Sequence, residues 1–144
     1  MNDGLSTLTE EPGHAAFQLE DRNRVELCIP GRLEFVPIVR VTVSGYATRM
    51  GFDIDEVEDL RIAVDELTSI LIDTSSPQSV TLTLETDGTK LRMRGTVTGG
   101  DAVEMPEIDR ITEQILGAVV DEYQLVVHEA TLAFTASRRR SPGA

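Results

Sequence analysis

The sequence predicts an α/β two-layer sandwich, with helices on one face of a mixed, mainly antiparallel sheet. Three observations carry that prediction. Runs at 24–29, 79–85 and 90–97 alternate apolar and polar residues, as half-buried strands do. Between the first two of these runs, apolar residues recur at spacings of three and four over 33–50 and 55–72, the period of amphipathic helices. Asp87-Gly88 then separates two alternating runs, a hairpin signal.

Each element follows in order. In RVELCI, Val25, Leu27 and Ile29 form one strand face, and Pro30-Gly31 ends the strand. Phe35, Val36, Val39, Val43, Tyr46, Ala47 and Met50 line the first helix. Pro37 restricts its start to residues 34–36, because proline fits only in a first turn, and Gly51 stops it. Asp55 is expected to cap the second helix, which runs to about Ile72 with a loop at 73–77. A helix expected from Pro106 carries Ile108, Ile111, Ile115, Leu116, Val119 and Val120. Strands at 123–127 and 131–135 close the order β-α-α-β-β-α-β-β, with 128–130 as their turn. Residues 1–21 read as a polar tail, 22–137 as the domain, and 138–144, with three consecutive arginines, as a solvated basic tail.

Composition narrows the function classes. The chain has 144 residues, one domain's worth, with 25 acidic against 13 basic residues and a net charge of −12. Such a surface repels a phosphate backbone, so direct nucleic-acid binding is not expected; basic protein segments suit it better. Cys28 is the only cysteine, so no internal disulfide forms, which fits a reducing, cytoplasmic compartment. His14 and His128 lie far apart, and no Cys/His spacing suits zinc. The acidic, polar start is unlike a signal peptide, and no apolar run reaches membrane-spanning length.

The fifty-residue run VELCIPGRLEFVPIVRVTVSGYATRMGFDIDEVEDLRIAVDELTSILID carries more. Its IPG turn, Arg40, S-G-x-A-x-R-M-G-F and E-D-L-R-I-A-V-D-E resemble the first half of the RsbW/SpoIIAB family. ILGAVVDEY at 115–123 resembles that family's last helix and its step into a strand. The family comprises bacterial anti-sigma factors that are also serine protein kinases on the GHKL (Bergerat) ATPase fold. The resemblance therefore implies that fold, a sigma factor and a STAS-domain anti-anti-sigma factor as partners, and a homodimer.

The family's nucleotide chemistry occupies three boxes, and this sequence departs from each. In the helical E-x-x-x-N box, both side chains share a face, the glutamate serving as general base and the asparagine holding Mg²⁺. Glu66 matches the glutamate, but Ile70 stands at the asparagine, and isoleucine offers a hard cation no oxygen. The adenine-binding aspartate is replaced by Val97; Gly99 matches the glycine that follows it, and Asp101 substitutes for the aspartate only if the loop slips. The phosphate-cradling lid is reduced to residues 98–106, with Gly99-Gly100 early and Glu104, Glu107 and Asp109 where a polyphosphate would sit.

The implied reading is a degenerate GHKL domain that sequesters a sigma factor without kinase activity, needing no cofactor. The alternative is an active serine kinase using ATP and Mg²⁺, with Glu66 as base and Asp65 or Asp73 as substitute ligand. Glu66 is otherwise a relic carboxylate. Arg40 matches the arginine that grips partners in the family, and Val36, Val39 and Val43 are the expected apolar anchors beside it. Arg49 and Arg61 read as surface ion-pair partners, Cys28 as a half-buried residue or a redox handle, and His14 and His128 as surface residues.

Overall fold

A computed structural model describes residues 23–142. The elements are β1 (Val25–Pro30), a 3₁₀ turn (Leu33–Phe35), α1 (Val36–Arg49), α2 (Ile54–Ser75), β2 (Ser79–Thr86), β3 (Lys90–Thr98), α3 (Arg110–Val119), β4 (Glu122–His128) and β5 (Thr131–Arg139). This is the expected order. The five strands form one sheet in the order β1-β2-β3-β5-β4, every pairing antiparallel.

Register explains where the core lies. Leu27 pairs with Leu82, Leu82 with Gly95, Gly95 with Phe134, and Phe134 with Leu125. One row thus crosses all five strands on the face that the helices cover. Phe134 is fully buried, and a Cβ on Gly95 would stand 2.2 Å from its ring. The glycine at this strand position exists to admit the aromatic ring. From the helices, Val39, Val43 and Ala47 of α1 and Leu60, Ala63, Val64, Leu67 and Leu71 of α2 complete the same core.

Several boundaries differ from the sequence reading, each for a local reason. Asp53, rather than Asp55, caps α2: its carboxylate accepts from the Glu56 N–H at 2.8 Å, while Glu56 accepts from the Asp53 N–H at 2.9 Å. This reciprocal capping box satisfies two otherwise orphaned donors. The helix continues to Ser75, three residues beyond the expected end, because its apolar face runs on through Ile72 to the buried Ser75. At α3 the helix begins at Arg110, capped by Asp109 through the Thr112 N–H at 2.7 Å; Pro106 lies in the preceding irregular segment. Replacing Asp53 by alanine is expected to cost about 1 kcal/mol in urea unfolding, while Asp55→Ala stays within a few tenths. Equal effects at the two positions would contradict the assigned cap.

The largest correction concerns the carboxyl-terminal arginines, which are not a solvated tail. β5 runs through Arg139, two residues past the expected domain edge at 137. Arg138 donates to Asp59 of α2 at 2.7 Å and to the Val119 carbonyl at 2.8 Å. The Arg139 N–H meets the Asp121 carboxylate at 2.6 Å, and the Arg140 guanidinium meets the Gly88 carbonyl at 2.9 Å. Residues 138–141 therefore strap the sheet to both α2 and the β2–β3 turn. Alternation carries no trace of these partners, since they lie far away in sequence. The expected tail at 1–21 and its His14 fall outside the described residues.

Candidate functional site

The family-matched positions lie on α1, α2 and the segment after β3. Val36, Val39 and Val43 project inward and are 3%, 1% and 0% exposed, so they are core residues and not partner anchors. The reason is the helical period: the three share the stripe that meets α2 and the sheet. The apolar side chains that α1 does present outward are Ile38 and Val41, 47% and 72% exposed, with Leu33 just ahead of the helix at 49%. Sequence reasoning missed them. Their signal was the excess of apolar residues in VPIVRVTV, too many for a single buried face.

Arg40 stands at the boundary between the buried and outer faces. Its Nε lies 3.8 Å from Asp65 Oδ1 of α2, an ion pair too long to be a hydrogen bond. That Nε is buried, and among the described residues it has no hydrogen-bond partner. Asp65 is consequently turned toward α1, which removes it as a substitute metal ligand beside Glu66. Arg61 pairs with Glu58 at 2.9 Å, as expected of a surface ion pair. Arg49 makes no ion pair among the described residues, contrary to expectation.

Glu66 sits half-buried on α2, one turn before Ile70. Ile70 packs against the hydrophobic core, as do Val97 and Val103. Val97 is held in the β2–β3 ladder opposite Val80, so the strand register leaves no slip that would put Asp101 in its place. The Asp101 N–H instead donates to the Ser75 carbonyl at the end of α2, at 2.8 Å, and the Val103 N–H donates to the Ala130 carbonyl at 2.9 Å. Gly99 and Gly100 turn with φ of 71° and 92°, and a Cβ on Gly100 would stand 2.4 Å from the Ser75 carbonyl oxygen. The segment after β3 is thus tied to the end of α2. Asp73, expected in a loop, lies exposed within α2.

The donor set does not fit Mg²⁺ or ATP. Magnesium requires near-octahedral oxygen ligation. Among the described residues, no three His, Cys, Asp or Glu side chains are grouped so as to hold a metal ion. Four prominent surface clefts lie elsewhere, and none is lined by Glu66, Ile70, Val97 or Gly99. Aliphatic groups at Ile70 and Val97 offer neither a cation ligand nor an acceptor for an adenine amino group. Cys28 is exposed on the outer sheet face, and His128 ends β4, 3.7 Å from Glu129. Among the described residues, no helix is long and apolar enough to cross a membrane.

No protein-family model matches the chain. The serine-protein kinase RsbW of Halalkalibacterium halodurans is 40% identical over 60 residues, covering 42% of this chain and 37% of that protein. The serine-protein kinase RsbW of Bacillus thuringiensis is 44% identical over 48 residues, covering 33% of this chain and 30% of that protein. The matched stretch spans about a third of the length of these curated relatives. A crystal structure of the RsbU and RsbW domains of a Mycobacterium tuberculosis protein superposes with a TM-score of 0.64 over 84% of this chain and 33% of that one, at 16% identity. The chain is therefore RsbW-like: it has the fold of a solved RsbW domain and is similar in sequence, over up to 60 residues, to the serine-protein kinase RsbW.

Proposed function

We propose that this chain is a partner-binding regulator of the anti-sigma type, acting in the cytoplasm. In this reading it sequesters a sigma factor, is countered by a STAS-domain antagonist, pairs as a homodimer, and transfers no phosphoryl group. The observation that carries the proposal is aliphatic side chains where the resemblance implies nucleotide donors: Ile70 and Val97, with Val103 in the segment after β3, are partly buried and pack against the hydrophobic core. Phosphoryl transfer depends on positioning and charge stabilisation, and these residues supply neither. The partner surface is retained by contrast. Arg40 keeps a partly satisfied guanidinium at the edge of an exposed apolar helix face formed by Ile38 and Val41.

Calorimetric titration with Mg-ATP and Mg-ADP tests the first half of the reading. No binding is expected up to about 1 mM, which corresponds to an affinity weaker than about −4 kcal/mol. Micromolar binding would favour the kinase reading, with phosphate transfer to a STAS-domain protein that Glu66→Ala abolishes. For the second half, purified sigma factors and STAS-domain proteins of the same organism are titrated against wild type and Arg40→Glu. At least a tenfold loss is expected for one partner, and an unchanged affinity would remove Arg40 from the interface.

A further inference from the structure

The sheet ends at β4, whose sole strand neighbour is β5. All seven residues of Glu122–His128 pair one to one with β5, so no bulge interrupts the edge. The turn fixes which backbone groups are free. Glu129 and Ala130 both have positive φ, 52° and 62°, as in a two-residue type I′ hairpin loop. A hydrogen-bonded pair closes such a loop, here His128 with Thr131, and hydrogen-bonded pairs then recur at every second residue. Glu122, Gln124, Val126 and His128 therefore direct their backbone groups to β5. The N–H and C=O groups of Tyr123, Leu125 and Val127 point the other way. Among the described residues, these three make no backbone hydrogen bond outside the ladder.

Edge strands are ordinarily protected by proline, charge or a bulge. The opposite edge follows that rule: Pro30 of β1 has no N–H, and Arg24 and Glu26 pair at its start at 2.8 Å. In β4, Tyr123–Val127 contains no charged residue, no proline and no glycine. Tyr123, Leu125 and Val127 are half-buried on the helix side, and Val126 is 39% exposed on the other. A regular row of free donors and acceptors is complementary to another extended strand.

We propose that this strand is the β4 of a second copy, paired antiparallel about a twofold axis at Leu125, so that two five-stranded sheets become one. The inference rests on the homodimer in the reading above and names its surface. Leu125 then meets Leu125, and Tyr123 meets Val127, in hydrogen-bonded pairs that use all three free residues of each strand. Every other antiparallel register leaves at least one of the three unpaired. On the helix side, the apolar row continues across the junction. On the outer side, Gln124 faces Val126 and Glu122 faces His128, so no like charges stand opposite. Glu122 is already shared by Lys90 at 3.4 Å and Ser137 at 3.3 Å, and His128 lies 3.7 Å from Glu129. The backbone bonds and apolar pairs, and not these end charges, carry the association.

The test reads the register directly. Gln124→Cys and Val126→Cys are made separately in the full chain with Cys28→Ser, because Cys28 is exposed and would itself cross-link. In the proposed register, residue 124 stands opposite residue 126 of the second copy, with Cα atoms about 4.5 Å apart, within reach of a disulfide. Two copies of position 124, or of 126, lie diagonally at about 7–8 Å. With oxidised glutathione, the mixed variants should cross-link at least tenfold faster than either alone. By sedimentation, wild type should have twice the 15.8 kDa monomer mass. Val127→Pro, which removes an outward N–H and no ladder bond, should sediment as a monomer with the wild-type circular dichroism. If Val127→Pro does not fold, the cross-linking rates decide, since both cysteines replace side chains on the outer sheet face. A dimer without preference for the mixed cross-link overturns the proposal and leaves the homodimer reading standing on another surface. A monomeric wild type overturns both, while the sigma-factor titrations keep their own outcome. Loss of sigma-factor or STAS-protein binding in a folded Val127→Pro, with wild type monomeric, would give the edge to a strand of that partner, again against the proposal.

Discussion

Phe134→Ala is expected to lower unfolding stability by about 3–5 kcal/mol, the range for deleting a buried aromatic side chain. The ring is fully buried at the centre of the cross-sheet row, with Gly95 opposite it on β3 and Leu125 on β4. Gly95 has no side chain with which to fill the space, so the cavity collapses poorly and the cost should fall toward the upper end. Urea unfolding followed by circular dichroism measures it, and a loss below about 1 kcal/mol would mean that the row is not packed as described. The complementary change, Gly95→Ala, sets a Cβ 2.2 Å from the Phe134 ring and should cost about 1–3 kcal/mol as overpacking. Because the two positions share one space, Gly95→Ala combined with Phe134→Leu should cost less than the sum of the single changes. Strict additivity would argue against direct contact.

Glu56→Ala is expected to cost about 2–3 kcal/mol, since it removes a buried carboxylate serving three donors. Glu56 is only 3% exposed. It accepts from the Asp53 N–H at 2.9 Å, the Ser141 N–H at 2.6 Å and the Ser141 hydroxyl at 2.7 Å. It thereby joins the start of α2 to the carboxyl-terminal strap. Burial by itself raises its pKa and is the largest single influence. The hydrogen bonds from Asp53 and Ser141, with the charge of Arg138, together outweigh burial and hold the carboxyl below its ordinary value of 4.5. The sign of the pH dependence follows. A carboxyl whose folded pKa is depressed stabilises the fold fully above its unfolded value. That contribution is lost as pH falls from about 4.5 through the lower folded value. Glu56→Gln should therefore flatten the stability profile in that window while leaving the slope above pH 6 unchanged. Asp87 leaves a second, more acidic signature. The N–H groups of Thr89 and Lys90 and the Thr89 hydroxyl hold its carboxyl at about 2, so its contribution disappears between 3.8 and about 2. A wild-type profile that is flat below pH 5 would contradict both assignments.

The capping box shows how a legible signal was misassigned. Asp53 and Glu56 stand at the spacing of a reciprocal cap and were readable, yet Asp55 competed for the role because helical periodicity does not fix the first residue. The anchors of α1 failed for a different reason. Val36, Val39 and Val43 do share a stripe, but a stripe has no sign in sequence. It serves the core or a partner equally well until the sheet is in place.

What the sequence by itself determined is local: the element order, the strand phases, the hairpin at Asp87-Gly88, and the aliphatic identity of residues 70 and 97, which carry no oxygen donor. Each is written in the period of side chains or in the identity of one residue. The tertiary structure decided whatever depends on which distant segments meet. It turned the arginine-rich end into a strap, through Asp59, 79 positions away, and Gly88, 52 positions away. It turned Asp65 toward Arg40 and away from a metal-ligand role. The physical reason is that charge and hydrogen bonding act over a few ångströms of space without regard to separation along the chain, whereas alternation and helical period report only a residue's near neighbours.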